Sequence, residues 1–315
     1  MRVAVYGASG FTGGLVVEEL IGHGVDVVAV GRGGPVVAAL DDPAALVSAF
    51  AGCDAVISTV SPFAEHGEPV LRAAIEAGCH YVDTTGEQVF VRRVFDGYHD
   101  AATRAGVTVV PAATDDGVPG DLIASLVAED LDVDVLTVAD LRKPFGASRG
   151  TARMAFAAGR LLTDDALVYD DGAWRTGLHL EGTDLVRFAL PGVVTAPRHV
   201  RARRVQGVVD PAVAELFTSV TADALAAMAF GPTLPQREAS EWRMAAHAVD
   251  REGRQARGEV WGTDPYGTTA RIAVRLVRDL VTAGAASGVR APAEVVDPAG
   301  FLDRLGLRWE VTPAR

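Results

Sequence analysis

The first 32 residues constrain the fold more than any other stretch. A short apolar strand at 3–6 runs into Gly7-Ala8-Ser9-Gly10-Phe11-Thr12-Gly13, a helical stretch follows, and a second apolar strand ends in Gly31-Arg32. Strand, glycine-rich turn and helix in that order form a dinucleotide site. Backbone N–H groups and the positive end of the helix face a pyrophosphate, and a side chain in the turn would block its approach. Gly7, Ser9, Gly10, Phe11 and Thr12 are the expected contacts. The second strand selects the dinucleotide. Sites for NAD carry an acid near its end for the ribose 2′-hydroxyl, whereas Val27-Val28-Ala29-Val30-Gly31-Arg32 offers a glycine and then a guanidinium, which suits a 2′-phosphate. The expected cofactor is NADP(H), with Arg32 on the phosphate.

At 315 residues the chain exceeds the usual size of one hydrophobic core, so two domains are expected. A net charge of −12 with no basic tail argues against nucleic acid as a partner. No apolar run approaches the roughly 18 residues of a membrane span. Met1-Arg2 passes straight into strand, which leaves no signal peptide to expect and makes a cytoplasmic location the expectation. Cys53 and Cys79 lack metal-ligand spacing, so buried free thiols and no metal site are expected. Lys143 is the single lysine, which GC-rich codon usage explains better than catalysis.

Apolar strands recur at 55–60, 81–84 and 107–111, separated by amphipathic stretches at 69–77 and 91–105. That alternation predicts an α/β, Rossmann-type, doubly wound parallel sheet. Only Gly33-Gly34-Pro35 separates Arg32 from the apolar run 36–40, too short for a parallel crossover. Residues 36–40 are therefore either not a parallel neighbour of the second strand or an irregular edge, and the helix that walls an adenine pocket is shortened or missing. From 122 the pattern changes: a helix at 122–129, a strand at 135–141, and strands at 245–250 and 258–262 around Arg251-Glu252-Gly253-Arg254, which reads as a hairpin. This predicts a second α+β domain containing a mostly antiparallel sheet. The expected boundaries are 1–121 for the nucleotide domain and 122–265 for the substrate domain. Residues 266–315, with helices at 268–282 and 298–304 and a strand at 307–311, are expected to pack back on the first.

Five motifs together resemble one family: Gly7 to Gly13 as above, Ser58-Thr59-Val60-Ser61-Pro62-Phe63, Tyr81-Val82-Asp83-Thr84-Thr85-Gly86-Glu87, Pro119-Gly120-Asp121-Leu122 and Asp264-Pro265-Tyr266-Gly267. They are similar to those of the saccharopine dehydrogenase-like oxidoreductases, including the trans-acting enoyl reductases. The resemblance implies a Rossmann domain with a sheet-containing second domain, a nicotinamide dinucleotide, and reduction of C=N or conjugated C=C bonds. Two departures matter. The family's Cys-Gly-Phe-Asp-Ser-Val-Pro stretch is here Ala113-Thr114-Asp115-Asp116-Gly117-Val118-Pro119, so Asp116 matches the family aspartate while Asp115 replaces an aromatic residue. The family's Ser-Gly-Gly-Thr is Ser148-Arg149-Gly150-Thr151. Both changes suggest a more polar substrate.

Ligands of open α/β sheets bind beyond the C-terminal strand ends, which singles out three loops. Ser61, Pro62 and Phe63 are expected to pack the nicotinamide ribose, although Pro62 also serves simply to end a strand. Thr84 and Thr85 bring hydroxyls to the cofactor and Glu87 a carboxylate to the substrate, or Glu87 only stabilises a helix start. Asp115 and Asp116 hold a cationic amine or iminium or donate a proton, against an Asx turn before Gly117. His199 is a third candidate proton donor, with Arg198 and Arg149 as substrate-binding cations; Arg201, Arg203 and Arg204 beside it equally fit the solvent face of a strand. The expected partners are a small-molecule or carrier-bound substrate and, at most, a second copy of the chain in a homodimer. The alternative function is an NADP(H)-binding redox sensor without turnover.

Overall fold

Eight apolar residues of the first 30, at 3–6 and 27–30, already pair as two strands of one parallel sheet in the computed structural model, which describes residues 1–143, 146–180 and 182–314. The chain divides into two compact units. The first comprises Met1–Thr85, Phe90–Thr114 and Tyr266–Arg290. Its strands are β1 (Arg2–Tyr6), β2 (Asp26–Gly31), β3 (Val36–Val37), β4 (Ala55–Ser58), β5 (His80–Asp83), β6 (Thr108–Val110) and a final strand Gly288–Val289. All pair in parallel, in the order β3-β2-β1-β4-β5-β6-(Gly288–Val289). The order reverses between β1 and β4, as in a doubly wound nucleotide-binding sheet. Buried on both faces, β1 and β4 read as continuous apolar runs, with Val3, Ala4, Val5, Val56 and Ile57 fully inaccessible.

β3 is the irregular edge. It pairs with β2 through only Val30↔Val36 and Gly31↔Val37, after a four-residue connection that holds no helix. A regular parallel crossover cannot be made in that length. The helices α1 (Phe11–Gly22), α2 (Pro43–Phe50), α3 (Phe63–Glu76) and α4 (Gln88–Ala105) supply the other connections. Asp42 caps α2 by accepting from the Ala45 N–H at 2.9 Å, with Pro43 at the first helical position. Cys53 and Cys79 are free and buried here; burial pushes the Cys79 thiol up to about 11. No helix among the described residues is long and apolar enough to cross a membrane.

The second unit comprises Gly86–Val89, Asp115–Pro265 and Ala291–Arg315. Its sheet holds β7 (Val133–Asp140), β8 (Val168–Asp170), β9 (Ala173–Arg175), β10 (Val186–Arg187), β11 (Ala202–Val209), β12 (Glu241–Asp250), β13 (Gln255–Thr263) and the strand Arg308–Thr312. The order is (Arg308–Thr312)-β13-β12-β7-β11-β8-β9, with β10 also on β11. Every pairing is antiparallel except β7 with β11. β12 and β13 form the expected hairpin, in register from Glu241↔Thr263 to Val249↔Gln255.

The helix α5 (Gly117–Ala128) packs on this sheet, burying Leu122, Ile123 and Val127. A Cβ at Gly258 would lie 2.8 Å from side-chain carbons of Ile123 and Val127, so the glycine lets helix and strand touch. α5 starts five residues before the expected 122, because Pro119 sits in its first turn, where a missing N–H costs no intrahelical bond. The C-terminal stretch also differs from the expectation that all of 266–315 returns to the first unit. Residues 266–290 do so, but Ala291–Arg315 belongs to the second, since Arg308–Thr312 extends β13 through pairs such as Val260↔Trp309.

Candidate active site

Within the first unit, the turn after β1 is built from backbone. Gly7 has φ +87°, a conformation that a β-carbon disfavours, and its N–H donates to Val30 O at 3.0 Å. Gly10 N–H donates to Gly7 O at 2.8 Å and Gly10 then serves as the N-cap of α1. A Cβ on Gly13 would lie 2.1 Å from Gly7 O, so helix and turn are in direct contact. Thr59, just past β4, is the floor of the turn: its Oγ1 donates to Tyr6 O (3.1 Å) and Gly7 O (3.2 Å). No acid lies in the first turn of α1, and Gly10 brings no side chain to its cap, so nothing opposes the positive helix end. These residues fit a pyrophosphate on the cradle that the sequence predicts. Ser9 is exposed beside it, Thr12 is half-buried, and the Phe11 ring meets Tyr266 edge-on at 5.0 Å.

Arg32 leaves the end of β2 into solvent, with no acid paired to it among the described residues. Its charge reaches Tyr6, whose phenol donates to Ala38 O at 3.1 Å. Burial pushes that phenol up, Arg32 pulls against the rise and Asp41 adds to it. The other expected cofactor contacts divide. Ser61 and Pro62, joined by a cis peptide bond, are half-buried, as is Thr84. Phe63, by contrast, is only 3 % exposed and packs against Phe90 at 5.5 Å, which makes it a core residue of this unit rather than a wall for a ribose. Thr85 is buried with its N–H on Asp83 Oδ1 (3.1 Å). The same Asp83 oxygen accepts from Ala112 N–H at 3.0 Å and so ties the ends of β5 and β6 together.

In the second unit the carboxylates of 115 and 116 part company. Asp115 Oδ2 lies 2.9 Å from Arg142 Nη1. Arg142 Nε also donates to both oxygens of Asp140, at 2.8 and 2.6 Å, and Asp140 closes β7. The guanidinium is 7 % exposed, and Asp115 and Asp140 are similarly buried. Burial alone would lower the Arg142 pKa, but Asp140, Asp115 and Asp116 together drive it upward, so it stays charged. Burial raises Asp140 despite the opposing guanidinium. Asp115 was expected to meet substrate and is instead committed to this pair. Asp116 is the N-cap residue of α5, yet its side chain makes no cap bond and no Asx turn, and no hydrogen bond or ion pair of any other kind holds it among the described residues. It is half-buried, with Oδ2 3.9 Å from where a Cβ on Gly86 would sit.

The remaining candidates take structural tasks in the geometry observed. His199 is 11 % exposed at its side chain and its Nε2 lies 2.8 Å from Asp121 Oδ1; Asp121 is fully buried on α5 and its other oxygen accepts from Ala293 N–H at 2.9 Å. Burial pulls the His199 pKa down, but the Asp121 charge and hydrogen bond, with Glu294 behind, bring it above the usual imidazole value. Asp121 thus joins both His199 and the C-terminal stretch to α5. Arg198 beside it is exposed. Arg149, expected to bind substrate, donates from Nε and Nη2 to Met228 O (3.1 and 2.8 Å) and holds the 219–240 segment. Arg203 and Arg204 are saturated by Asp134 and Asp170. Glu87 is buried at the start of α4, and Lys143 is exposed with Glu241 at 3.6 Å.

Sequence reasoning missed Arg142, Asp140 and Thr59. The signal for the first two was an Asp-x-Arg at a strand end, which no local rule marks as a site.

Residues 31–110 match the family described as the saccharopine dehydrogenase NADP-binding domain. The chain is 31 % identical over 140 residues to a trans-acting enoyl reductase of Mycobacterium tuberculosis, covering 38 % of this chain and 34 % of the relative. It is equally similar to the trans-acting enoyl reductase of Mycobacterium ulcerans, over 141 residues and the same shares. The chain thus spans about a third of the length of the curated relatives it matches. Saccharopine dehydrogenase (L-Glu forming) from Saccharomyces cerevisiae superposes with a TM-score of 0.61 at 14 % identity, covering 99 % of both chains, which shows the shared fold. Through its nucleotide-binding unit the chain is similar to the saccharopine dehydrogenase-like oxidoreductases, as its motifs imply, and its cofactor is NADP(H).

Proposed function

We propose that the protein is a cytoplasmic NADPH-dependent reductase that delivers hydride to a C=N (imine) or conjugated C=C (enoyl) bond of a small or carrier-bound metabolite. The observation that carries this reading is Asp116. A carboxylate at a helix N-cap ordinarily bonds the first-turn N–H groups, and this one does not. It is held directly before α5 with both oxygens available to a second molecule. Bound NADPH supplies the hydride; the chain supplies orientation and a proton route.

In this reading Asp116 accepts a hydrogen bond from the N–H of a protonated imine, or passes a proton to the α-carbon of an enoyl acceptor as hydride reaches the β-carbon. Asp115 and Asp140 share a single positive charge with Arg142, so the surroundings favour a cation over an anion. That supports the imine branch as strongly as the relatives' names support the enoyl branch.

The test is NADPH oxidation followed at its absorbance against cyclic imines, enoyl thioesters and ketones, beside a fluorescence titration of NADPH. Turnover with one of the first two classes is expected. Tight NADPH binding with no turnover in any class would replace this reading with a redox sensor that holds NADP(H) without chemistry.

A further inference from the structure

The proposed role of Asp116 leaves unexplained why an arginine is buried beside it. A guanidinium withdrawn from water needs close partners to offset its desolvation, and Arg142 has them on two different parts of the unit. One is Asp140 at the end of β7, gripped through Nε at 2.6 and 2.8 Å, with Arg142 N–H also on Asp140 Oδ1 at 3.2 Å. That strand end is rigid: β7 lies between β12 and β11, and Leu141 N–H donates to Arg243 O at 2.8 Å. The other partner is Asp115, reached through Nη1 at 2.9 Å. The planar fork therefore spans from the sheet to the residue directly before Asp116, a reach that a point charge could not duplicate. Asp116 feels the same guanidinium electrostatically.

We propose that Arg142 is the positioning residue for Asp116. It ties the Asp115-Asp116 turn to the end of β7, sets the direction of the Asp116 carboxylate, and withdraws Asp115 from the chemistry. This rests on the reading of Asp116 given above.

The experiment is a double-mutant cycle on the acceptor with the highest wild-type turnover, comparing wild type, Arg142→Lys, Asp116→Asn and the double variant. Lysine keeps the charge but cannot hold both acids. Arg142→Lys is expected to lower kcat about 10- to 100-fold, the usual cost of a misplaced catalytic group, with NADPH affinity unchanged and acceptor KM within about threefold. Because Arg142 acts through Asp116, the double variant should be no slower than Asp116→Asn alone. Losses that multiply in the double variant, or a kcat for Arg142→Lys within about twofold of wild type, would overturn the proposal. Thermal melts and NADPH titration check that each variant folds. Should Arg142→Lys fail them, Asp115→Asn takes its place, cutting the tether while leaving Arg142 on Asp140, with the same expected loss and the same non-additivity. Wild-type protein that turns over no acceptor overturns the functional reading and this inference together. Turnover with an unimpaired, folded Arg142→Lys overturns the positioning role alone.

Discussion

The nucleotide turn of the first unit and the carboxylate cluster of the second are built in opposite ways. The turn is backbone: Gly7, Gly10 and Gly13 lie within seven residues, and from elsewhere they take the Val30 carbonyl and Thr59. The cluster is side chains: Asp115 and Asp116 come from a loop, Asp140 and Arg142 from the end of a strand in another sheet. A pyrophosphate looks the same in every dinucleotide enzyme, so main-chain donors at a helix start suffice for it. An acceptor differs between enzymes, and in the proposed reading charge is assembled for it from distant segments.

That difference can be broken most severely at Asp116. Asp116→Asn should lower kcat and kcat/KM together by about 10²–10⁴ while leaving NADPH affinity intact, as loss of an interaction made only in the transition state does. Unchanged kcat in steady-state assays would remove Asp116 from the mechanism. On the nucleotide side, Gly10→Val should weaken NADPH binding by more than about 100-fold with the fold retained by circular dichroism, because a branched side chain enters the pyrophosphate's approach. Normal affinity by fluorescence titration would show that the turn is not the nucleotide site.

A smaller effect separates the two cofactors. NADPH should bind at least about tenfold more tightly than NADH, since a charge-assisted pair with Arg32 contributes roughly 1.5–3 kcal/mol. Arg32→Ala should erase most of that ratio and leave NADH binding nearly unchanged; equal affinities in the wild type would contradict Arg32 as the phosphate ligand.

The smallest effect lies at His199. Its pKa is raised in the folded protein, so the stabilisation from its pairing with Asp121 is fully present below the unfolded value near 6.5 and fades as pH rises through the folded one. His199→Gln should therefore cost about 1 kcal/mol at pH 6 and progressively less toward pH 9, read from melting temperatures. A loss that grows with pH would reverse the assignment.

Much of this was legible because it is local. Glycine spacing, the apolar run of β1 and the missing acid after β2 are short-range patterns, and the parallel sheet and the cofactor follow from them. The hairpin of β12 and β13 could be read for the same reason, from a four-residue turn between alternating strands. As a candidate, Asp116 was legible too, through its family position. Its neighbour was not: Asp115 and Asp116 are equivalent as letters, and only Arg142, arriving from β7, commits one and leaves the other.

The sequence by itself determined the nucleotide-binding unit, because its fold and ligand depend on backbone geometry that glycine and apolar periodicity encode within a few residues of one another. Tertiary structure alone decided the rest. It placed Phe63 in the core, turned Arg149 into a clasp for Met228 O, bound His199 to Asp121, and carried Ala291–Arg315 to the second unit. In each case a charged, aromatic or strand-forming residue had several local options, and the winner was the partner that folding brought within about 3–6 Å, where desolvation forces ions to pair and apolar surface to close.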